Sequence, residues 1–464
     1  MTMPSSAFKP ELLSPAGTAK NMRFAFAYGA DAVYAGQPRY SLRVRNNEFN
    51  HLDRMADAIA EAHSLGKQFY IASNISPHNN KVRTYLRDME AVIDMKPDAL
   101  IMADPGLIML VREKWPEMPV HLSVQANAVN FASVKFWGHQ GVKRVILSRE
   151  LSMEEVAEIR DECPDMELEV FVHGALCIAY SGRCLLSGYM NHRDPNQGAC
   201  TNACRWKYDA HQAKETETGD IVALNPAVQR QAEIWRPEET PAIQGNMDDS
   251  HRDDTPVFLL EEQNRPGELL PAFEDEHGTY IMNSKDLRAV QHVPKLVQMG
   301  IHSLKIEGRT KSYYYVARTA QVYRRAIDEA VAGREFDMGL MAQLDHLANR
   351  GYTEGFYRRH VPEHYQNYER GVSNNPNQQF VGEIKEIDSQ AGWATIEVKN
   401  RFESGDTLEL ITPGGNQSFT LETIENKDGI AVSAAPGSGH VVRIPLPATP
   451  NPIDSQYALL MRHL

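Results

Sequence analysis

The stretch Glu169-Val-Phe-Val-His-Gly-Ala-Leu-Cys177 decides how the rest of the chain is read. Val170 and Val172 fall on one side of a two-residue period, with Glu169, Phe171 and His173 on the other. A strand of this pattern ends in His-Gly and delivers a thiol three residues later. Outward from it, short apolar runs alternate with longer stretches of helical period. The strand candidates are 11–14, 32–35, 68–74, 99–103, 120–125, 144–148, 168–173 and 303–307. Helical periods follow most of them, as at 52–65 and 129–139, and Ser152 with Glu155 has the spacing of a capping box. Such alternation predicts an α/β fold with a parallel sheet and crossover helices. Eight strands predict closure into a (β/α)8 TIM-like barrel. Residues 11–333, less an irregular insertion at 205–275, leave about 250 residues, the usual size of that fold. An open doubly wound sheet is the competing arrangement, but the chain has no Gly-rich dinucleotide fingerprint to support it.

The texture changes from Gly371. Residues 334–375 read as a helical segment and a linker ending in Asn374-Asn375-Pro376-Asn377. After it come FVGEIKEI, WATIEVKN, DTLELIT, SFTLETIEN, IAVSAA and HVVRIPL, short alternating strands punctuated by Gly, Asn and Pro. That punctuation predicts a small antiparallel β-barrel domain at 376–464.

A chain of 464 residues can bury a sizeable core. Its net charge of −13 argues against a generally basic nucleic-acid surface, and DNA is not an expected partner, although a local basic patch is compatible with it. The amino terminus shows no apolar core of signal-peptide length. The most apolar run, 99–111, is broken by Asp104-Pro105-Gly106 and is too short to span a bilayer. A cytoplasmic location without membrane contact is expected.

Four of the five cysteines, Cys177, Cys184, Cys200 and Cys204, lie in a stretch rich in Gly, Asn, Asp, Arg and Ser. A single free cysteine is most often packing, and Cys163, just before Pro164, reads that way. Four together in an intracellular chain point to metal ligation. Structural zinc prefers cysteines two to four residues apart, and only Cys200 and Cys204 come close. The wide, uneven gaps favour an iron–sulfur cluster held by four thiolates.

In a barrel, function lives at the carboxyl ends of the strands. Those ends carry Ser14-Pro-Ala-Gly17, Tyr34-Ala-Gly36, Asn74, Asp104-Pro-Gly106, Gln125, Arg149-Glu150, His173-Gly174 and Glu307-Gly308-Arg309. The loop after the second strand adds Arg39, Arg43 and Arg45, whose planar forks suit carboxylate or phosphate. In the last strand Lys305 and Glu307 alternate with Leu304 and Ile306, which places them in the barrel interior as a buried pair of structural or functional use. Asp248–Asp254 reads as a solvated acidic loop. His360 and His364 have metal-like spacing, but Pro362 between them breaks the helix that would align them.

EVFVHGALC at 169–177, ELLSPAG at 11–17, SLKIEGR at 303–309 and NRGYTEGF at 349–356 together resemble the collagenase-like peptidase family of unclassified catalytic type. QPRYSLRVRNNEFN and DPNQGACTNACRW are similar to a branch of that family that acts in tRNA hydroxylation. The resemblance covers nearly the whole chain. It implies prephenate-dependent conversion of the wobble uridine in the tRNA anticodon loop to 5-hydroxyuridine, the first step of carboxymethoxyuridine synthesis. It also implies a 4Fe-4S cluster on Cys177, Cys184, Cys200 and Cys204.

Ring hydroxylation needs a redox cofactor rather than acid–base side chains alone. On this reading His173, Lys305 and Glu307 are the candidate catalytic groups. Arg39, Arg43, Arg45, Arg149 and Arg309 are candidate partners for the carboxylates of prephenate, and Tyr180, with Tyr189 and Trp206, a stacking platform for the base. A collagenase-like endopeptidase is the alternative. The chain has no His-Glu-x-x-His or Gly-x-Ser-x-Gly motif, and a His173–Cys177 dyad would leave three clustered cysteines unexplained. A non-catalytic partner in a modification complex is the third reading.

Overall fold

The computed structural model describes residues 8–42, 48–176, 286–345, 347, 352–357, 378–388, 391–447 and 455–464, with the backbone of several strands between 208 and 279. Eight strands form the barrel: β1 (Glu11–Pro15), β2 (Ala32–Gly36), β3 (Gln68–Ser73), β4 (Ala99–Met102), β5 (Val120–Leu122), β6 (Arg144–Ile146), β7 (Glu167–Ala175) and β8 (Ser303–Ile306). Each is parallel to its neighbours, and β8 pairs with both β7 and β1, so the sheet closes. Helices α1 (Ala19–Ala27), α2 (Leu52–Ser64), α3 (Asn79–Asp94), α4 (Pro105–Lys114), α5 (Phe131–His139), α6 (Met153–Glu162), α7 (Val293–Gln298) and α8 (Tyr313–Val331) accompany the strands, with α9 (Gly339–Asp345) beyond them.

Local chemistry starts these helices. The side chains of Thr18, Asp104, Asn130, Ser152 and Ser312 each accept a first-turn amide, and Ser152 with Glu155 completes the expected capping box. The strands are apolar on the faces that meet helices, and Leu12, Val33, Leu100, Leu122, Val145, Leu168 and Leu304 are buried in one core. β5 stops at Leu122, earlier than its apolar pattern predicts. Ser123 there caps a short 3-10 turn through Gln125, and Asn127 is left-handed. Cys163 is buried, its thiol 3.6 Å from the Phe131 carbonyl.

The insertion is not irregular throughout. Tyr208–Glu215, Val257–Glu262 and Glu268–Asp275 pair antiparallel in a separate sheet. Val257-Phe-Leu-Leu supplies a β-forming run within an otherwise acidic, Pro-containing stretch, and its partner strand at 208–215 lies dozens of residues away in sequence. Asp286–Arg288 pairs antiparallel with the end of β7, lengthening the sheet above the point where β8 ends.

After the barrel, Gln378–Asp388, Trp393–Val398, Thr407–Thr412, Gly415–Thr420, Ile424–Asn426, Ala431–Val432, Val441–Pro445 and Leu459–His463 form an antiparallel sheet over its own apolar core, which includes Val381, Ile396, Leu410 and Ile444. No pairing among the described residues joins its two outer strands. It packs on α1 and α8. Tyr314 stacks on Phe380 at 4.9 Å, the Tyr28 hydroxyl donates to the carbonyls of Ile411 and Tyr457, and buried Arg318 meets Glu409 at 3.2 Å.

Candidate active site at the barrel mouth

The carboxyl ends of the strands surround a cavity of about 60 Å³, room for a few waters or one carboxylate. Around it stand Tyr34, Asn74, Ser123, Gln125, Arg149, Phe171, Lys305, Glu307 and Arg309, contributed by barrel strands and the loops that follow them. Three cations and one carboxylate share the wall. Glu307 accepts a hydrogen bond from the Tyr34 hydroxyl at 3.2 Å and faces an Arg149 nitrogen at 3.9 Å. The Arg149 guanidinium lies 3.9 Å from the Phe171 ring, a stacked placement that fixes its plane. Arg309 donates to the Ser41 hydroxyl at 2.8 Å.

Two glycines make this geometry possible. A Cβ on Gly36 would stand 2.7 Å from both Arg309 Nη1 and Ser41 Oγ. Gly174, at φ +104°, lies so close to β8 that a Cβ would meet the Glu307 carbonyl at 2.4 Å. The Gly of His173-Gly174 is therefore the point where β7 and β8 touch beneath Glu307. The Glu307 amide donates to the His173 carbonyl, and the Tyr315 hydroxyl to the Glu307 carbonyl.

Below the cavity lies a paired floor. Lys305 does not pair with Glu307 as β8 alone suggests. Its ammonium donates to Glu169 on β7 at 2.7 Å and lies 4.3 Å from the Tyr34 ring. Glu169 also accepts from Arg144 at 3.3 Å, and Arg144 reaches Glu11 at 2.6 Å and Glu167 at 3.0 Å. Burial works against the Glu169 anion, but the adjacent Lys305 and Arg144 charges prevail and hold its carboxyl below the usual range. Reasoning along the sequence missed Arg144 and Glu11. The available signal was a charged residue at an inward position of each strand.

Residues 17–367 match Peptidase family U32, and residues 376–462 match the Peptidase family U32 C-terminal domain. The chain belongs to peptidase family U32. It is 62% identical over 456 residues to tRNA hydroxylation protein P of Escherichia coli (strain K12), covering 98% of this chain and 97% of that one. The protein of the same description from Haemophilus influenzae is 60% identical over 461 residues, covering 99% and 97%. The solved U32 peptidase Mk0906 aligns at a TM-score of 0.33 and 16% identity, over 41% of this chain and 81% of that one.

In this U32 chain, the remaining candidates fall in three places. Arg149, Arg309, Lys305 and Glu307 converge on the cavity. Arg39 does not; its half-exposed side chain turns outward to Asp88 at 2.6 Å. His173 does not face the cavity either. The β7–β8 register shifts so that Lys305 opposes Phe171 and Ile306 opposes His173, which sends the imidazole toward the helical layer. There it is buried among Tyr315, Tyr323 and Tyr352, with ring centres 5.5–5.8 Å away and the Tyr323 hydroxyl 3.4 Å from Nδ1. Burial pushes its pKa down to about 3, so it is neutral near pH 7. Arg43, Arg45, Tyr180, Tyr189, Trp206, Cys177, Cys184, Cys200 and Cys204, with His360 and His364, lie outside the described residues. Among the described residues no three His, Cys, Asp or Glu groups are gathered to hold a metal ion, and no helix is long and apolar enough to cross a membrane.

Proposed function

We propose that this U32 chain hydroxylates tRNA, converting the wobble uridine of the anticodon loop to 5-hydroxyuridine in a prephenate-dependent reaction, the first step of carboxymethoxyuridine synthesis. The observation that carries the reading is the cavity, where Arg149, Arg309 and Lys305 crowd a space of carboxylate size at the mouth of a closed barrel. Such a wall suits an acidic co-substrate. Full-length relatives at 60–62% identity are described as tRNA hydroxylation protein P. A wobble base is already single-stranded, so splaying it toward the mouth costs a few kcal/mol at most.

Cys177, Cys184, Cys200 and Cys204 would hold a 4Fe-4S cluster. Four thiolates are the donor set it requires, and Phe171 on the cavity wall lies on the same strand that runs on toward Cys177. When bound, the cluster supplies the redox chemistry that acid–base side chains lack. Glu307, braced by Tyr34 and Arg149, is the carboxylate placed to accept a hydrogen bond from a bound group at the cavity.

Nucleosides from tRNA of a strain lacking this protein should be devoid of hydroxyuridine-derived modification, and the native chain should restore it. Anaerobically purified protein should contain iron and sulfide and lose its visible absorption on Cys200→Ala. Normal modification without the protein, with no second pathway running, overturns the assignment. The endopeptidase reading rests on the family's description. A Cys177–His173 dyad needs an accessible imidazole, whereas this one is buried among tyrosines. Gelatin cleavage that survives Cys177→Ala would revive proteolysis in another form.

A further inference from the structure

The lip around the cavity is electrically lopsided. On the β2–β3 side, Arg39 follows β2 and α3 opens with His78-Asn-Asn-Lys-Val-Arg83, with no acidic residue in its first turn and no side-chain cap on its amino end. Arg83 and Arg87 are exposed one turn apart on α3. Asp88 beside them is shared by Arg39 at 2.6 Å and Arg87 at 3.1 Å, and it also accepts from the Tyr40 hydroxyl. Arg39 and Arg87 thus share a single carboxylate, and Arg83 stands exposed one turn before Arg87 on the same helix. Burial and then the Arg39 charge hold the Lys81 ammonium below an ordinary lysine. Opposite, the loop and helix after β6 carry Glu150, Glu154, Glu155 and Glu158. In a chain of net charge −13 this polarity is not a sampling of an average surface.

The patch is continuous with the cavity. Asn74 on the cavity wall lies four residues before the amino cap of α3, and the Ile75 amide donates to the Tyr40 carbonyl beside Arg39. We infer that the α3 lip, through Arg39, Arg83 and Arg87, is the surface that receives the sugar–phosphate backbone of the RNA substrate, while the acidic α6 lip keeps it from the other side. The inference rests on the RNA reading above and deepens it by naming a face and a direction of approach. Phosphate contacts of this kind set register and orientation without reading sequence.

The test uses full-length protein and fluorescently labelled tRNA, titrated at several salt concentrations. Arg83→Glu/Arg87→Glu should weaken binding about tenfold or more at low salt. It should also flatten the plot of log K against log salt by about 0.7–0.9 for each phosphate that is no longer neutralised. A control, Lys135→Glu/Arg401→Glu, makes the same change in net charge on exposed positions elsewhere, on α5 and on the sheet domain. Equal loss in the control, or native binding and salt slope in the α3 variant, overturns the inference. If the α3 variant binds normally and restores the tRNA modification in cells, the surface is wrong and the reaction stands. If native protein neither binds tRNA nor restores the modification, the RNA reading itself fails.

Discussion

The two ends of the barrel interior both carry buried charge, and they handle it differently. At the floor, Arg144 and Lys305 are matched by Glu11, Glu167 and Glu169 at 2.6–3.3 Å, with the pairing running strand to strand. At the mouth, Arg149 and Arg309 face a cavity, and the Arg149–Glu307 separation is 3.9 Å. Matched buried charges specify how strands meet, whereas cations around open space specify what enters. A charge pair inside a barrel is therefore not by itself a site. Lys305 belongs to both regions, since it is anchored in the floor and its side chain borders the cavity.

The largest expected effect breaks the floor. Glu169→Ala leaves Lys305 and Arg144 buried beside a missing partner and should cost about 3–5 kcal/mol of stability by chemical denaturation. A loss under about 1 kcal/mol would show that water or Glu11 takes over the pairing, and the floor would then not be the structural half of the barrel. The mouth should respond in the opposite sense. Arg149→Lys keeps the charge but loses the planar fork and the stack on Phe171. We expect about a tenfold or greater rise in the concentration of acidic co-substrate needed for half-maximal tRNA modification, with little change in unfolding midpoint. A large drop in stability with unaltered modification would reverse the roles assigned to the two ends.

Reading along the chain revealed the closed barrel because eight separate runs carry the strand period and their caps are local. It also singled out Arg149, Lys305, Glu307 and Arg309, since barrel ends are fixed by where strands stop. Three things were beyond it. The partner of Lys305 comes from β7, 136 residues away, and cross-strand register is not a local property. His173 obeys the two-residue period in sequence yet leaves it in space, because the strand pairing slips by one residue beside it. The outward turn of Arg39 depends on Asp88, which a helix supplies from a different part of the chain.

Acid should separate floor from flank. His173 is buried with a pKa near 3 against about 6.5 unfolded. Its folded form binds fewer protons, so stability is fully present above about pH 6.5 and falls as pH drops toward 3, by at most about 1.4 kcal/mol per unit. Glu169 adds a second loss at lower pH, because its carboxyl is depressed below the ordinary value near 4.5, and its pairing is given up as the group protonates. His173→Phe should therefore flatten the stability curve between about pH 6.5 and 4.5, whereas Glu169→Gln should flatten it only below about 4.5. Identical slopes in the two variants would mean that neither group carries the acid sensitivity.

The smallest effect concerns a charge that belongs to neither end. Arg39 pairs with Asp88 at 2.6 Å, but its side chain is 49% exposed, and Arg87 stands on the other oxygen of the same carboxylate. Water screens such a pair, and fixing a long side chain costs entropy that offsets much of the attraction. Arg39→Ala should change stability by less than about 1 kcal/mol and leave the co-substrate requirement as it is. Its one measurable consequence should be weaker tRNA binding with a shallower salt dependence, shared with the α3 variants. An Arg39→Ala chain that needs far more acidic co-substrate would draw the lip into the mouth, and the cavity would have to be redrawn to include it.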